Sequence, residues 1–166
     1  MCRNKLKPSS FFVLIFIIFS NLAYCHNDLR GFEKFIGNIW TGHFQNSEDS
    51  LLVHKIEWEY DLDKNVVIEL KSVPEVDFHC KTYFYWDHET AQISYISLMN
   101  KKMISRGKAI FENGKLILNG KTFFENGAQE NRKTFEIKKD GKLEDHFYRR
   151  SKGKWIEGHF ILYTAE

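Results

Sequence analysis

Apolar and polar side chains alternate two by two along most of the chain. From residue 38 to residue 163 they do so in blocks of seven to eleven residues, broken by Gly, Asn, Asp and Lys. Alternation of period two is the mark of half-buried strands. It predicts strands over 38–45, 51–61, 66–72, 76–86, 91–99, 103–111, 115–125, 131–138, 142–150 and 154–163. In the second, Leu52, Ile56, Trp58 and Tyr60 share a face opposite Lys55, Glu57 and Glu59. In the third, Val66, Ile68 and Leu70 share one face. Before the first strand the period changes. Leu29, Phe32, Phe35 and Ile36 fall at helical spacing, Asn27 or Asp28 can cap the start, and Gly37 suits the end. A short helix of one or two turns is expected there.

The breaks between strands are short, so most connections are hairpins. Asn113-Gly114 and Asn126-Gly127 carry the strongest two-residue hairpin signal, because both positions accept positive φ. A third pair, Asn119-Gly120, sits inside a strand and is expected to mark a bulge or bend. Pro74 marks a connection or an edge. About ten hairpin-joined strands after one short helix predict an all-β fold, an up-and-down antiparallel barrel. Closure removes the two exposed edges of an open sheet. A β-sandwich is the alternative.

Residues 1–25 stand apart. Arg3, Lys5 and Lys7 precede a continuous apolar run at 11–19, and small and polar residues follow it up to Cys25. That order is expected of a secretory signal peptide, and the run is shorter than the ~20 residues a spanning helix needs. Ala23 and Cys25 fit cleavage before His26. Residues 22–25 also resemble a lipobox, in which Cys25 would be lipidated; that is the one route to a membrane, and Tyr24 departs from it. The expected address is secreted or periplasmic, with residues 26–166 as one barrel domain.

Removing that segment changes the charge. The whole chain of 166 residues has a net charge of +2. Without Arg3, Lys5 and Lys7, 21 of its 24 Lys and Arg face 22 Asp and Glu, a net charge of −1. No basic stripe remains for a nucleic-acid partner. Only Cys80 of the three cysteines lies beyond the segment, so the domain forms no internal disulfide.

The opening Phe35, Gly37, Trp40 and Gly42, together with Tyr85-Trp86-Asp87, resembles small secreted lipocalin-like, calycin-type proteins of an uncharacterised, often bacterial, group. Gly37 stands one residue further from Trp40 than in the transport lipocalins. The resemblance implies a barrel with a cavity for small apolar or amphipathic molecules. Late-strand Arg and Tyr in related barrels hold a ligand carboxylate. By that likeness Arg149 or Arg150, with Tyr163 and His159, are candidates for the polar end of a ligand, and Trp58 and Trp86 for its apolar end. Strand parity allows only one of the two arginines to point inward.

Other features have plainer readings. Aromatic residues make up 16% of the chain, and Trp58, Phe78, Phe84, Trp86, Tyr95 and Phe147 either line a cavity or fill a core. The histidines are scattered singly, and no metal site or cofactor is expected from them, although His159 is the one to test for haem. Glu57, Glu59 and Asp61 read as a solvent face. Cys80, between His79 and Lys81, is the one candidate reactive thiol. No nucleophile elbow, phosphate loop or triad pattern occurs, so no catalytic residue is assigned.

Overall fold

A computed structural model describes residues 29–46 and 51–166. The expected signal peptide, the cleavage site before His26, Cys25 and the helix-capping Asn27 and Asp28 lie outside the described residues, as does most of the turn before the second strand.

Ten strands follow one another: β1 (Ile39–Phe44), β2 (His54–Asp61), β3 (Val66–Val73), β4 (Phe78–Asp87), β5 (Gln92–Met99), β6 (Met103–Glu112), β7 (Lys115–Phe124), β8 (Gly127–Ile137), β9 (Leu143–Ser151) and β10 (Lys154–Ala165). Each pairs antiparallel with its chain neighbours, and β1 also pairs with β10, which closes the barrel. Closure leaves no unpaired edge among these strands. The expected all-β, up-and-down architecture is the one observed, and the sandwich is not.

The turns follow the residues that allow them. Asn113 and Gly114 both take positive φ, 50° and 79°, in a two-residue loop between Glu112 and Lys115. Lys152 and Gly153 do the same at 48° and 79°. Pro74 opens a 3-10 turn, Pro74–Val76, between β3 and β4. The Asn126-Gly127 turn is displaced by one residue from expectation. Phe124 pairs with Gly127, so Glu125 and Asn126 form the loop and β8 starts at Gly127, earlier than the pattern suggests.

Gly120 is not at a bulge. It sits in regular register, with Gly107 across from it on β6 and Asn131 on β8. Its lack of a side chain serves close approach instead. A Cβ on Gly120 would lie 2.3 Å from the Tyr95 hydroxyl, and one on Gly107 would lie 2.1 Å from the Asn119 carbonyl oxygen. The bulge is in β10, where the register shifts between Glu157 and His159. Gly107→Ala is therefore expected to destabilise the fold by about 1–3 kcal/mol, because the obstacle is backbone. Urea denaturation checks this; an unchanged midpoint would show that β6 and β7 have room to part.

One end of the barrel is plugged. The expected helix is a 3-10 turn, Leu29–Phe32, that runs on as turns to Gly37, where φ is 85°. Leu29, Phe32 and Phe35 are buried. Phe35 stacks on Trp58 with ring centroids 5.1 Å apart, and Phe32 meets Phe84 at 4.8 Å. Trp58 also meets Phe135 edge-on at 5.2 Å. The Trp40 indole N–H donates to the Phe35 carbonyl at 3.1 Å, which ties the plug to β1. Gly37 makes that return possible, since its conformation suits a residue without Cβ. The opposite end is open, and this asymmetry positions everything below.

Candidate functional site

Above the plug the lumen opens into a cavity of about 700 Å³. Inward positions of all ten strands line it, because alternate residues of each strand face the axis. Its mouth is mixed: apolar Val76 and Phe124 stand at the rim, 48% and 41% exposed, with Leu52, Phe78, Met99 and Met103 also on the wall, and the exposed Lys101, Arg149 and Glu157 line it too.

The floor is ionic. Lys71 on β3 reaches across the barrel and donates to Asp145 Oδ2 on β9 at 3.1 Å. Lys133 on β8 donates to Glu69 Oε1 at 3.2 Å and lies 3.5 Å from Asp145 Oδ2. Lys133 also stands over the Phe135 ring at 4.2 Å. These four side chains bridge the lumen between the aromatic plug and the cavity. Buried charges survive only when paired and hydrogen-bonded. Burial alone would raise the Asp145 carboxyl, but Lys133 and Lys71 outweigh it and hold the group well below the usual carboxylate range. Burial would lower Lys133, but Asp145 and Glu69 outweigh it and push the ammonium upward.

One side wall is a run of uncharged polar groups. Thr82 and Ser97 share a hydrogen bond of 2.9 Å. Asn131 accepts from Tyr95 at 3.4 Å through its oxygen and donates to Ser105 and Thr122 through its nitrogen. The facing side holds His54 and His159, which flank Phe44: His54 meets its ring at 4.3 Å and His159 at 5.5 Å. Neither nitrogen of His54, nor Nε2 of His159, has a hydrogen-bond partner among the described residues. Burial, with the Lys71 charge next, lowers His54 to about 4. Burial is also the largest cause at His159, and although Asp145 opposes it the ring is lowered to about 3. Both rings are neutral at pH 7.

This has a consequence for acid stability. An unfolded histidine takes its proton near pH 6.5, whereas the folded rings do so only near 4 and 3. Between those values the unfolded state binds more protons, so stability falls as pH drops below about 6.5. The loss approaches roughly 2–3 kcal/mol per ring by pH 4.5. Asp145 adds a further loss only at lower pH, as its carboxyl protonates through its depressed folded value. Urea midpoints measured from pH 7.5 to 4.5 should decline steadily, and the decline should flatten in His54→Phe/His159→Phe. A flat wild-type profile would contradict burial of neutral rings.

The six residues singled out from the sequence are brought together only in part. Arg149 and His159 line the cavity. Arg149 faces the lumen side at the mouth and has no ion pair among the described residues. Arg150 has the other parity and donates to Glu130 Oε2 at 2.8 Å on the outside. Tyr163 is fully buried beside the floor but is not on the cavity wall; burial, with the Asp145 charge next, pushes its phenol well above the ordinary value. Trp58 and Trp86 point inward but belong to the plugged end: Trp58 lies in the aromatic core and Trp86 packs against it. For the two tryptophans, strand parity matched the inward face but carried no information on height along the axis. Of the remaining aromatics, Phe78, Tyr95 and Phe147 line the cavity and Phe84 fills the core.

Cys80 also faces the cavity, but burial raises its thiol, the reverse of an activated nucleophile. Glu57, Glu59 and Asp61 are exposed on the outside. Sequence reasoning missed the ion cluster. The one available signal was the 66–71 stretch, where Glu69 and Lys71 occupy the parity opposite Ile68 and Leu70.

A closed ten-strand antiparallel barrel with one plugged end is compatible with a lipocalin-like fold. No protein-family model and no curated protein matches the chain.

Proposed function

We propose that this chain is an exported, lipocalin-like barrel that binds one small apolar or amphipathic molecule in its lumen. The observation that carries the reading is the cavity of about 700 Å³, open at one end and walled by both apolar and hydrogen-bonding side chains. Binding pockets of ~300–1,000 Å³ with a mainly apolar lining and a few placed polar groups are the ordinary size for small ligands. A barrel used only as a packed interaction module has no reason to keep that volume open. The basic, then apolar, then small-residue order of 1–25 supports export, and lipidation of Cys25 would hold the same domain at a membrane.

The unpaired Arg149 at the mouth suits an anionic group on the ligand's outer end. The test is to isolate the protein from its native source without detergent and to analyse released small molecules by mass spectrometry. One stoichiometric amphiphile per chain is expected. An empty protein that also binds no amphiphile on titration would favour the alternative, an extracytoplasmic module whose barrel surface binds protein partners.

A further inference from the structure

The cavity wall has two unlike halves. From β3 to β8 one row of inward positions is polar throughout. Glu69 stands opposite Thr82, Thr82 opposite Ser97, Ser97 opposite Ser105, Ser105 opposite Thr122, and Thr122 opposite Gln129. All six line the cavity, and the row slants from Gln129 near the mouth to Glu69 in the floor. The other half, on β9, β10, β1 and β2, is built of rings. Phe147 stacks on His159 with centroids 5.1 Å apart, His159 meets Phe44, and Phe44 meets His54. In the closed order β10 and β1 stand across the barrel from β5 and β6, so the rings face the polar row. We propose that the ligand is a rigid, flat ring system that sets a hydrocarbon edge against these rings and turns an uncharged oxygen acceptor, a carbonyl or an ether, toward the polar row. This rests on the reading of the lumen as a binding cavity and names the ligand class it takes.

Hydrogen bookkeeping argues for an acceptor. The Asn131 amide nitrogen donates to both Ser105 and Thr122, so the Thr122 hydroxyl accepts there. Its own hydrogen then has no acceptor among the described residues, and Thr122 is only half-buried. Cys80, Thr82 and Ser97 form a chain of three groups joined by two hydrogen bonds. Each group carries one hydrogen, so one is left over. The row therefore has donors to spare. Charge balance argues that the acceptor is neutral. Lys71 and Lys133 are already paired with Asp145 and Glu69, and a carboxylate brought into the row would be a buried charge without a cation of its own. The facing wall argues for rings. Aromatic pairs gain more than their buried area alone supplies. A flexible acyl chain gains none of this, would cover the row with methylenes, and loses rotamer freedom when it is ordered.

The experiment uses three neutral probes of equal carbon count. Fluorenone is a flat ring system with one carbonyl on one edge, fluorene is the same ring system without it, and 2-tridecanone is a flexible chain with a carbonyl. Each is titrated at pH 7 into the full chain preloaded with a neutral environment-sensitive dye. Fluorenone is expected to bind about tenfold tighter than fluorene, roughly the effect of one well-made hydrogen bond, although fluorene is the more apolar. It is also expected to bind about tenfold tighter than 2-tridecanone, whose chain must be ordered. Ser97→Ala/Thr122→Val is expected to bring fluorenone down to the affinity of fluorene. Should that double variant fail to fold, Ser97→Ala alone and the wild-type comparison still decide. Fluorene binding as tightly as fluorenone would overturn the proposal while leaving the binding cavity intact. So would 2-tridecanone binding as tightly as fluorenone, or a fluorenone preference that persists without the two hydroxyls. If none of the three probes binds, the cavity reading itself fails, and the proposal with it.

Discussion

Asp145→Ala is expected to be among the most damaging single substitutions in the barrel, destabilising it by about 3–5 kcal/mol. The carboxylate is fully buried and meets both Lys71, at 3.1 Å, and Lys133, at 3.5 Å. Its removal leaves Lys71 without a carboxylate partner among the described residues and Lys133 with Glu69 alone. The loss comes from the uncompensated ammonium more than from the pair's own attraction, since a buried pair roughly breaks even against apolar packing. That distinction is measurable. Asp145→Leu/Lys71→Met removes both charges across the lumen, and it should recover most of the stability lost in Asp145→Leu. A double-mutant cycle in urea reads the coupling. If the double variant is as unstable as the two single losses added together, the cross-lumen contact carries no coupling and the floor is not a unit.

Trp58→Ala is expected to cost a comparable 3–5 kcal/mol, for a different reason. The indole is 1% exposed and lies among the rings of Phe32, Phe35, Phe84 and Phe135. Its truncation opens a cavity between the plug and the barrel wall that rigid strands cannot collapse. Trp58→Phe, which retains most of the packing, should lose much less. Because the ion cluster separates Trp58 from the open cavity, that milder variant should bind an amphiphile as the wild type does. A marked loss of affinity in a well-folded Trp58→Phe protein would place the ligand deeper than this architecture allows.

The barrel was largely legible in the sequence because its signals are local. Period-two alternation and two-residue turns such as Asn113-Gly114 depend on neighbours in the chain, and the strands appeared close to where they were expected. What escaped were properties that need the closed cylinder. Lys71 and Asp145 are 74 residues apart, and only closure brings β3 opposite β9. In β3 both faces carry apolar residues, so the run from Val66 to Leu70 did not say which face was inner; Val67, Glu69 and Lys71 are. Arg149 and Arg150 could be told apart only once Asn131 was seen opposite Arg149 on β8. Trp58 and Trp86 had the right parity, but the Phe32 and Phe35 plug decided the end of the barrel to which they belong. Gly120 looked like a bulge because glycine in a strand has two common uses, and close approach to Tyr95 and β6 is the one found.

The central question is whether the open lumen is a binding site. The most direct measurement compares the wild type with Ser97→Trp/Thr122→Trp, which adds two indoles to the cavity wall, one from β5 and one from β7. Both positions line the cavity and neither belongs to the ion cluster. An environment-sensitive neutral fluorophore, titrated into each protein with its thermal transition recorded in parallel, should bind the wild type with one site per chain and raise its midpoint, since a ligand that binds only the folded state stabilises it. The filled variant, folded by circular dichroism, should bind none. Equal binding to both proteins would move the site to the outer surface and contradict the account.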